Sequence, residues 1–345
     1  MNNDFFFEML KTSSVSGHEI TLQKKVMNYM SGYADSVLTD YTGNVTHVIN
    51  PQAPFKVMLA GHIDEIGLII THVLDNGLIK VTNAGGIRPS MYPGHKVVIE
   101  TNTGPIYGAV LVNSELKGDI KVEDLSIDIG AHDKKQALEY VQLGNPIRLD
   151  TNERLLLNNR VTARAIDDRG GAFICIEALK RAKEYGCKIG VYATTTVGEE
   201  TSMRGAHWAS ARIKPNLGIA VDVTFATDYP STKPWQSGDV KIGGGPVLCN
   251  SSIANKKANE LLKLVASKYN IPYQIEAFVG RTGTDADKIH TSMEGFNTAL
   301  VSLPLRYMHA PDELCSLDDI ENCIELLARF LCEIDEKTNL DPFID

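Results

Sequence analysis

Two adjacent glutamates, Glu199 and Glu200, stand in VGEETSMRGA directly after the β-prone run IGVYATTTV. Before them come His62 and Asp64 in GHIDE, and Asp167 and Asp168 in ARAIDDRGG. After them come Asp222 in AVDVTFATD and His309 in PLRYMHAPDE. This set offers two imidazoles and at least three carboxylates as metal ligands. One carboxylate is left free to act as a base. A hydrolase with two bridged metal ions needs that inventory.

Each residue also has a plainer reading. In His62-x-Asp64, the aspartate is spaced to accept from the second N–H of a metal-bound imidazole, fixing its tautomer and raising its basicity. The plain reading is a strand running into a loop. Asp167 opens a helical pattern, where a carboxylate commonly serves as a cap. Asp168 and Arg169 can supply capping and pairing, which frees Asp167 to bridge. Two neighbouring carboxylates are costly unless a cation or base engages them. Glu199 and Glu200 follow a strand rather than sitting on a solvated helix. Adjacent residues point different ways, so one can bind metal while the other holds water. Asp222 interrupts the apolar GIAVDV and demands a partner if buried. His309 is a ligand or a structural histidine.

The elements that position these groups alternate. SGHEITLQKKVMNYMSGY reads as a helix, with Ser16 as N-cap and Glu19 completing a capping box. VLTDYTGNVTHVIN reads as two β pieces about a tight turn at Thr42-Gly43-Asn44. KVMLA reads as a strand buried on both faces, with His62 at its C-terminal end, where open α/β sheets place ligand sites. From about residue 71 to 161 the texture changes to short β-prone segments separated by Gly, Pro, Asn and Asp, with only DKKQALEYVQLG helical. That is the pattern of a small barrel. Thereafter strands and helices alternate, closing with a helix that Ser316 caps. The expected fold is α/β: a mostly parallel mixed sheet sandwiched by helices, formed by residues 1–70 and 162–345. An inserted β-barrel occupies 71–161.

Composition sets bounds. In 345 residues, 43% hydrophobic and 22% charged is ordinary globular material. A net charge of −9 without a basic run argues against nucleic acid and against an anionic membrane surface. No window suits a membrane-spanning helix. The N-terminus lacks the basic region of a secretion signal. Six cysteines without a CxxC pair point to core thiols in a reduced, cytoplasmic protein, and not to a cysteine zinc site.

GHIDEIG, ARAIDDRGG, VGEETSMRGA, AVDVTFATD, GTDADKI and PLRYMHAP together resemble the tetrahedral (TET) aminopeptidases, dinuclear metallopeptidases also known as glutamyl aminopeptidases or cellulase M-like proteins. The likeness runs from SGHE to the last helix. It implies that His62 and Asp222 hold one divalent ion, Glu200 and His309 the other, and that Asp167 bridges them. It makes Glu199 the general base and Asp64 the group that orients His62. Zinc, cobalt and manganese all suit such mixed N/O ligands. Thr284 and Asp285 are expected in the substrate pocket. Short peptides are the expected substrates, and a homo-oligomer from dimer to dodecamer the expected assembly, supported by the barrel domain. Thr201-Ser202-Met203-Arg204-Gly205 after the glutamates, Ala310 and Asp312 depart from the family pattern and bear on substrate preference. An acidic preference would need a basic pocket residue, with Arg281 and Lys288 as candidates.

Other readings compete. A metal-dependent deacylase or carboxypeptidase could use the same centre, the latter needing an Arg or Lys for the free carboxylate. A β-glycanase would employ two carboxylates and no metal, leaving His62 and His309 without a task. A non-catalytic scaffold would keep only a remnant site.

Overall fold

A computed structural model describes residues 1–112 and 119–344. The chain opens with helices α1 (Asn3–Lys11) and α2 (Ile20–Tyr29) and strands β1 (Ser36–Thr39), β2 (Val45–Ile49) and β3 (Lys56–His62). Next come β4 (Gly67–Val73), β5 (Ile79–Ala84), β6 (Lys96–Thr101), β7 (Gly104–Val110), β8 (Ser126–Asp128), helix α3 (Lys134–Tyr140) and β9 (Pro146–Leu149). Strands β10 (Arg154–Leu156) and β11 (Arg160–Ala163) lead into helix α4 (Ile166–Glu184) and strand β12 (Gly190–Thr196). Helices α5 (Glu199–Ser202) and α6 (Arg204–Ile213), strand β13 (Leu217–Phe225), helix α7 (Pro234–Ser237) and strand β14 (Val247–Asn250) follow. Helix α8 (Lys256–Lys268), strand β15 (Gln274–Ala277), helix α9 (Ala286–Thr291), strands β16 (Thr298–Leu305) and β17 (Glu313–Ser316), and helix α10 (Leu317–Glu333) complete the chain.

The main sheet has eight strands in the order β1-β2-β12-β3-β13-β16-β14-β15. Its centre, β12-β3-β13-β16, is parallel, and antiparallel pairs lie towards its edges. Alternation along each strand sends side chains to two cores. Val57 and Leu59 join α1, α2, α4, α8 and α10 on one face. Met58 and Ala60 join α6 and α9 on the other. The central strands are therefore apolar throughout, as a doubly covered parallel sheet requires. Strands β4-β5-β8-β7-β6-β9 close a barrel around its own core of Leu68, Val97, Ile99 and Ile127. A third, small sheet has the order β10-β11-β17. No helix among the described residues is long and apolar enough to cross a membrane. All six cysteines are unpaired and five are buried.

Local signals differ in how they are used. Asp40 makes the β1–β2 turn, its Oδ1 accepting from the backbone N–H groups of Thr42, Gly43 and Asn44. Ser316 caps α10 by accepting from Asp318 N at 3.2 Å. The capping box expected at Ser16 does not form. Helix α2 begins four residues later, at Ile20, without a side-chain cap. Ser16 Oγ instead lies 3.1 Å from Thr201 Oγ1, and Glu19 accepts from Gly17 N at 2.7 Å. The segment before α2 is tied to the loop beyond β12, and that tertiary contact overrides the local cap.

Candidate metal centre

The groups singled out in the sequence come from four strand ends and one helix start. His62 ends β3, and Glu199 and Glu200 begin the short helix after β12. Asp222 lies within β13, and His309 follows β16. Asp167 sits at the start of α4, where Asp167 and Asp168 are not helical in φ/ψ and the peptide between them is cis. The helix is properly capped one residue later. Asp168 Oδ1 accepts from Gly171 N at 2.9 Å, and its Oδ2 accepts from His62 N at 3.1 Å. Arg169 is fully buried and pairs with Glu65 at 2.6 Å. With capping and pairing done by these neighbours, the Asp167 carboxylate is left to face the sheet edge.

Glycine permits this approach. A Cβ at Gly171 would stand 2.2 Å from Val221 O and 2.4 Å from Asp168 Oδ1. Gly198 has φ +65°, and a Cβ there would meet the Arg204 guanidinium at 1.9 Å. The first lets α4 sit against the sheet; the second turns the chain so that Glu199 and Glu200 leave β12 towards the same edge.

Asp167 lies between the two histidines. Its Oδ1 is 3.1 Å from His62 Nε2 and its Oδ2 is 3.3 Å from His309 Nε2. His309 Nε2 is also 3.5 Å from Glu200, and His62 Nε2 is 3.8 Å from Glu199. Two donor sets result: His62, Asp167 and Asp222, and Asp167, Glu200 and His309. Within each, one ligand atom per residue falls within 4.8 Å of the others. Both sets share Asp167, so it has the geometry of a bridge.

Outer contacts hold the imidazoles. His62 Nδ1 faces Asp64 Oδ1 at 3.4 Å, and His309 Nδ1 faces Gly86 O at 2.9 Å. Each Nε2 is thereby left for the centre. Asp64 has a second task that its spacing did not reveal: its two oxygens accept from the backbone N–H of Glu199 and of Glu200. Glu313, absent from the sequence reading, accepts from Asp167 N at 3.0 Å and from His309 N at 2.9 Å. It stands four residues after His309, and an acid that close to a candidate ligand is the signal that could have marked it. Thr284 lines the cleft over the centre. Asp285 is buried and accepts from Thr196 Oγ1 at 2.5 Å. Ser202 is exposed and its hydroxyl donates to Gly198 O at 3.3 Å.

The electrostatics are those of acids crowded out of water. Burial pushes Glu199 up to about 10, with the charges of Asp222, Asp285 and Glu200 adding to the rise. Burial likewise lifts Glu200 to about 8 and Asp222 to about 7. Burial opposes the charge on His309, yet its hydrogen bond to Asp167 and the charge of Glu200 raise it to about 9. Asp167 is buried too, but its hydrogen bonds to His309 and His62 hold it below the usual carboxylate range. One Glu199 oxygen is buried without a hydrogen-bond partner. Mixed imidazole and carboxylate donors, excess negative charge and an unpartnered acid are what divalent cations would satisfy.

Comparison with known proteins identifies the family. Residues 43–326 match the family described as M42 glutamyl aminopeptidase. The chain belongs to this family. A lysyl aminopeptidase of Pyrococcus furiosus is 34% identical over 339 residues, covering 95% of this chain and 96% of that protein. The crystal structure of a TET aminopeptidase from a marine sediment archaeon of the Thaumarchaeota superimposes with TM-score 0.91 at 30% identity, covering 97% of each chain. The Pyrococcus horikoshii TET1 peptidase, described as assembling into a tetrahedron or a large octahedral shell, gives TM-score 0.86 at 28% identity over 95% of this chain and 98% of that one. The M42 chain is thus a peptidase of aminopeptidase kinship, with the α/β-plus-barrel fold expected of TET enzymes.

Proposed function

We propose that this protein is a dinuclear metallo-aminopeptidase that removes N-terminal residues from short peptides. The observation that carries the reading is the pair of three-donor sets meeting at Asp167, with Glu199 beside them. In this reading His62, Asp167 and Asp222 hold one divalent ion, and Asp167, Glu200 and His309 the other. When bound, such ions polarise the scissile carbonyl and make a water molecule acidic enough to serve as nucleophile near neutral pH.

The chain's own groups do the rest. Glu199 lies within 3.8 Å of His62 Nε2 and has one free buried oxygen, so it can take the proton of an attacking water and return it to the leaving amine. Asp64 fixes both the His62 ring and the backbone that presents Glu199. Burial of the centre strengthens each of these interactions over its value in water. Carboxylates outnumber basic groups at the cleft floor, which suits the free ammonium of a peptide N-terminus. The six unpaired thiols favour a reducing compartment, the cytoplasm. Kinship with TET structures supports a homo-oligomer, between dimer and dodecamer.

Turnover of aminoacyl-p-nitroanilides by chelator-stripped protein, before and after zinc, cobalt or manganese is returned, tests this reading. Release should depend on metal and vanish when the substrate amine is acetylated. A folded, metal-loaded sample silent on every residue would exclude it and bring the deacylase and glycanase alternatives forward.

A further inference from the structure

Glu276, on β15, is a buried acid that the reaction outlined above does not use. It is 2% exposed, yet its side chain lines the cleft of about 490 Å³ that also contains His62, Glu199 and Asp222. Its carboxylate has two partners, both neutral: Thr224 Oγ1 donates to one oxygen at 2.5 Å and Ser302 Oγ to the other at 3.4 Å. No charged side chain among the described residues perturbs it, and burial pushes its carboxyl up to about 7. A carboxylate in this setting is costly without a cation.

The sheet fixes where that cost falls. Thr224 lies two residues beyond Asp222 on β13 and points to the same face, about 7 Å further along the strand. Ser302 is the register partner of Asp222 on β16. Glu276 therefore stands one side-chain layer from Asp222, joined to that layer through Thr224 and Ser302. Phe278 and Leu300 are among the apolar residues that line the same cleft. A cleft with apolar lining at Phe278 and Leu300 and a lone buried acid matches a side chain with an aliphatic stem and a cationic tip, such as the four-carbon stem and ammonium of lysine.

Resting on the aminopeptidase reading, we infer that Glu276 forms the end of the pocket for the N-terminal side chain and selects peptides that begin with lysine or arginine. Acidic N-terminal residues meet a like charge there and are disfavoured. Arg88 lies on the cleft but is exposed, in the β5–β6 connection, so it does not offset Glu276 at the pocket end.

The experiment compares kcat/KM for p-nitroanilides of lysine, arginine, norleucine and glutamate on metal-loaded holoenzyme and on E276Q. Norleucine shares the aliphatic stem of lysine and lacks the charge. The expected result is a lysine-to-norleucine ratio of at least tenfold in the native enzyme, with glutamate slowest. In E276Q that ratio should fall at least tenfold, with the change carried mainly by KM for lysine. Should E276Q not fold, competitive inhibition of the native enzyme by free L-lysine against L-norleucine reads the same preference, lysine being expected to bind at least tenfold tighter. Release of norleucine with no advantage to lysine, or a ratio unmoved in E276Q, overturns the assignment of Glu276 while the aminopeptidase reading stands. Silence on all four substrates overturns the assignment of Glu276, and silence extended to every aminoacyl-p-nitroanilide overturns the aminopeptidase reading as well.

Discussion

Asp167 owes its freedom to its neighbours. Asp168 caps α4 and Arg169 takes the ion pair, as the sequence allowed, so one carboxylate is released towards two imidazoles. Asp222 was legible because it breaks an apolar strand with a group that cannot be buried alone, and His62, Glu199, Glu200 and His309 because each closes or follows a strand-like run. The supporting groups were not. Glu313 accepts two backbone N–H groups, and its only local mark is its place four residues after His309, since its burial is set by the tertiary fold. Two predictions belong at this scale. Glu199→Gln should lower kcat by about 10²–10⁴-fold, the usual worth of a general base, with metal content unchanged by elemental analysis. A matching loss of metal would instead make Glu199 a ligand. Glu313→Gln retains an acceptor but loses the second charged oxygen, so its chief effect should be weaker metal retention, read as loss of activity on dilution into chelator. Retention equal to the native protein would refute the positioning role.

Elements meet at the centre because the chain uses small residues where backbones touch. Gly171 abuts the β13 carbonyl of Val221. Gly171→Ala adds one methyl where no space exists, and overpacking of this sort costs about 1–3 kcal/mol. The variant should melt several degrees lower and lose activity, since the same methyl presses on the Asp168 carboxylate that caps α4 and holds His62 N. Unchanged melting and turnover would mean the helix has room that the geometry denies. Long elements such as α4, α8 and α10 were readable from periodicity. Helices α1 and α6 and the small β10-β11-β17 sheet went unread. The strands of that sheet are three or four residues long, too short to show a period, and its pairing joins residues about 150 positions apart. The missed cap at Ser16 is the converse case, where a strong local signal yields to a contact with Thr201.

At the scale of the whole molecule the buried acids make the protein depend on what neutralises them. The folded values of Glu199, Glu200 and Glu313 are raised by burial, and that of His309 is raised by its acidic neighbours. The folded state therefore binds more protons than the unfolded chain between about pH 4.5, the ordinary carboxyl value, and about pH 9. By linkage, unfolding free energy must fall as pH rises through that window. Metal-stripped protein should melt progressively lower from pH 5.5 to 8.5, whereas metal-loaded protein should resist the decline, because cations take over the role of the protons and bind the folded state alone. A stripped sample with a flat profile, or with a rising one, would show that the centre does not carry this charge conflict.

The outer surface makes a separate demand. Edge strand β10 and the residue after it present Leu155, Leu156 and Leu157 at 63%, 43% and 86% exposure. On the barrel, Tyr107, Tyr140 and Leu143 are more than half exposed. Contiguous leucines on an unpaired strand edge invite association, and a protein kept monomeric would blunt that edge with charge. Fully covering an exposed leucine gains up to roughly 1.5–3 kcal/mol, so Leu155 and Leu157, the two most exposed, are the residues a symmetric contact would use. Light scattering after size exclusion should give a mass at a multiple of the single chain. Leu155→Asp with Leu157→Asp should shift it down to a smaller species without changing the far-ultraviolet circular dichroism. A native protein running as a monomer would end the oligomer proposal. An oligomer untouched by the double variant would leave the assembly standing and move its interface to the barrel face around Tyr107 and Tyr140.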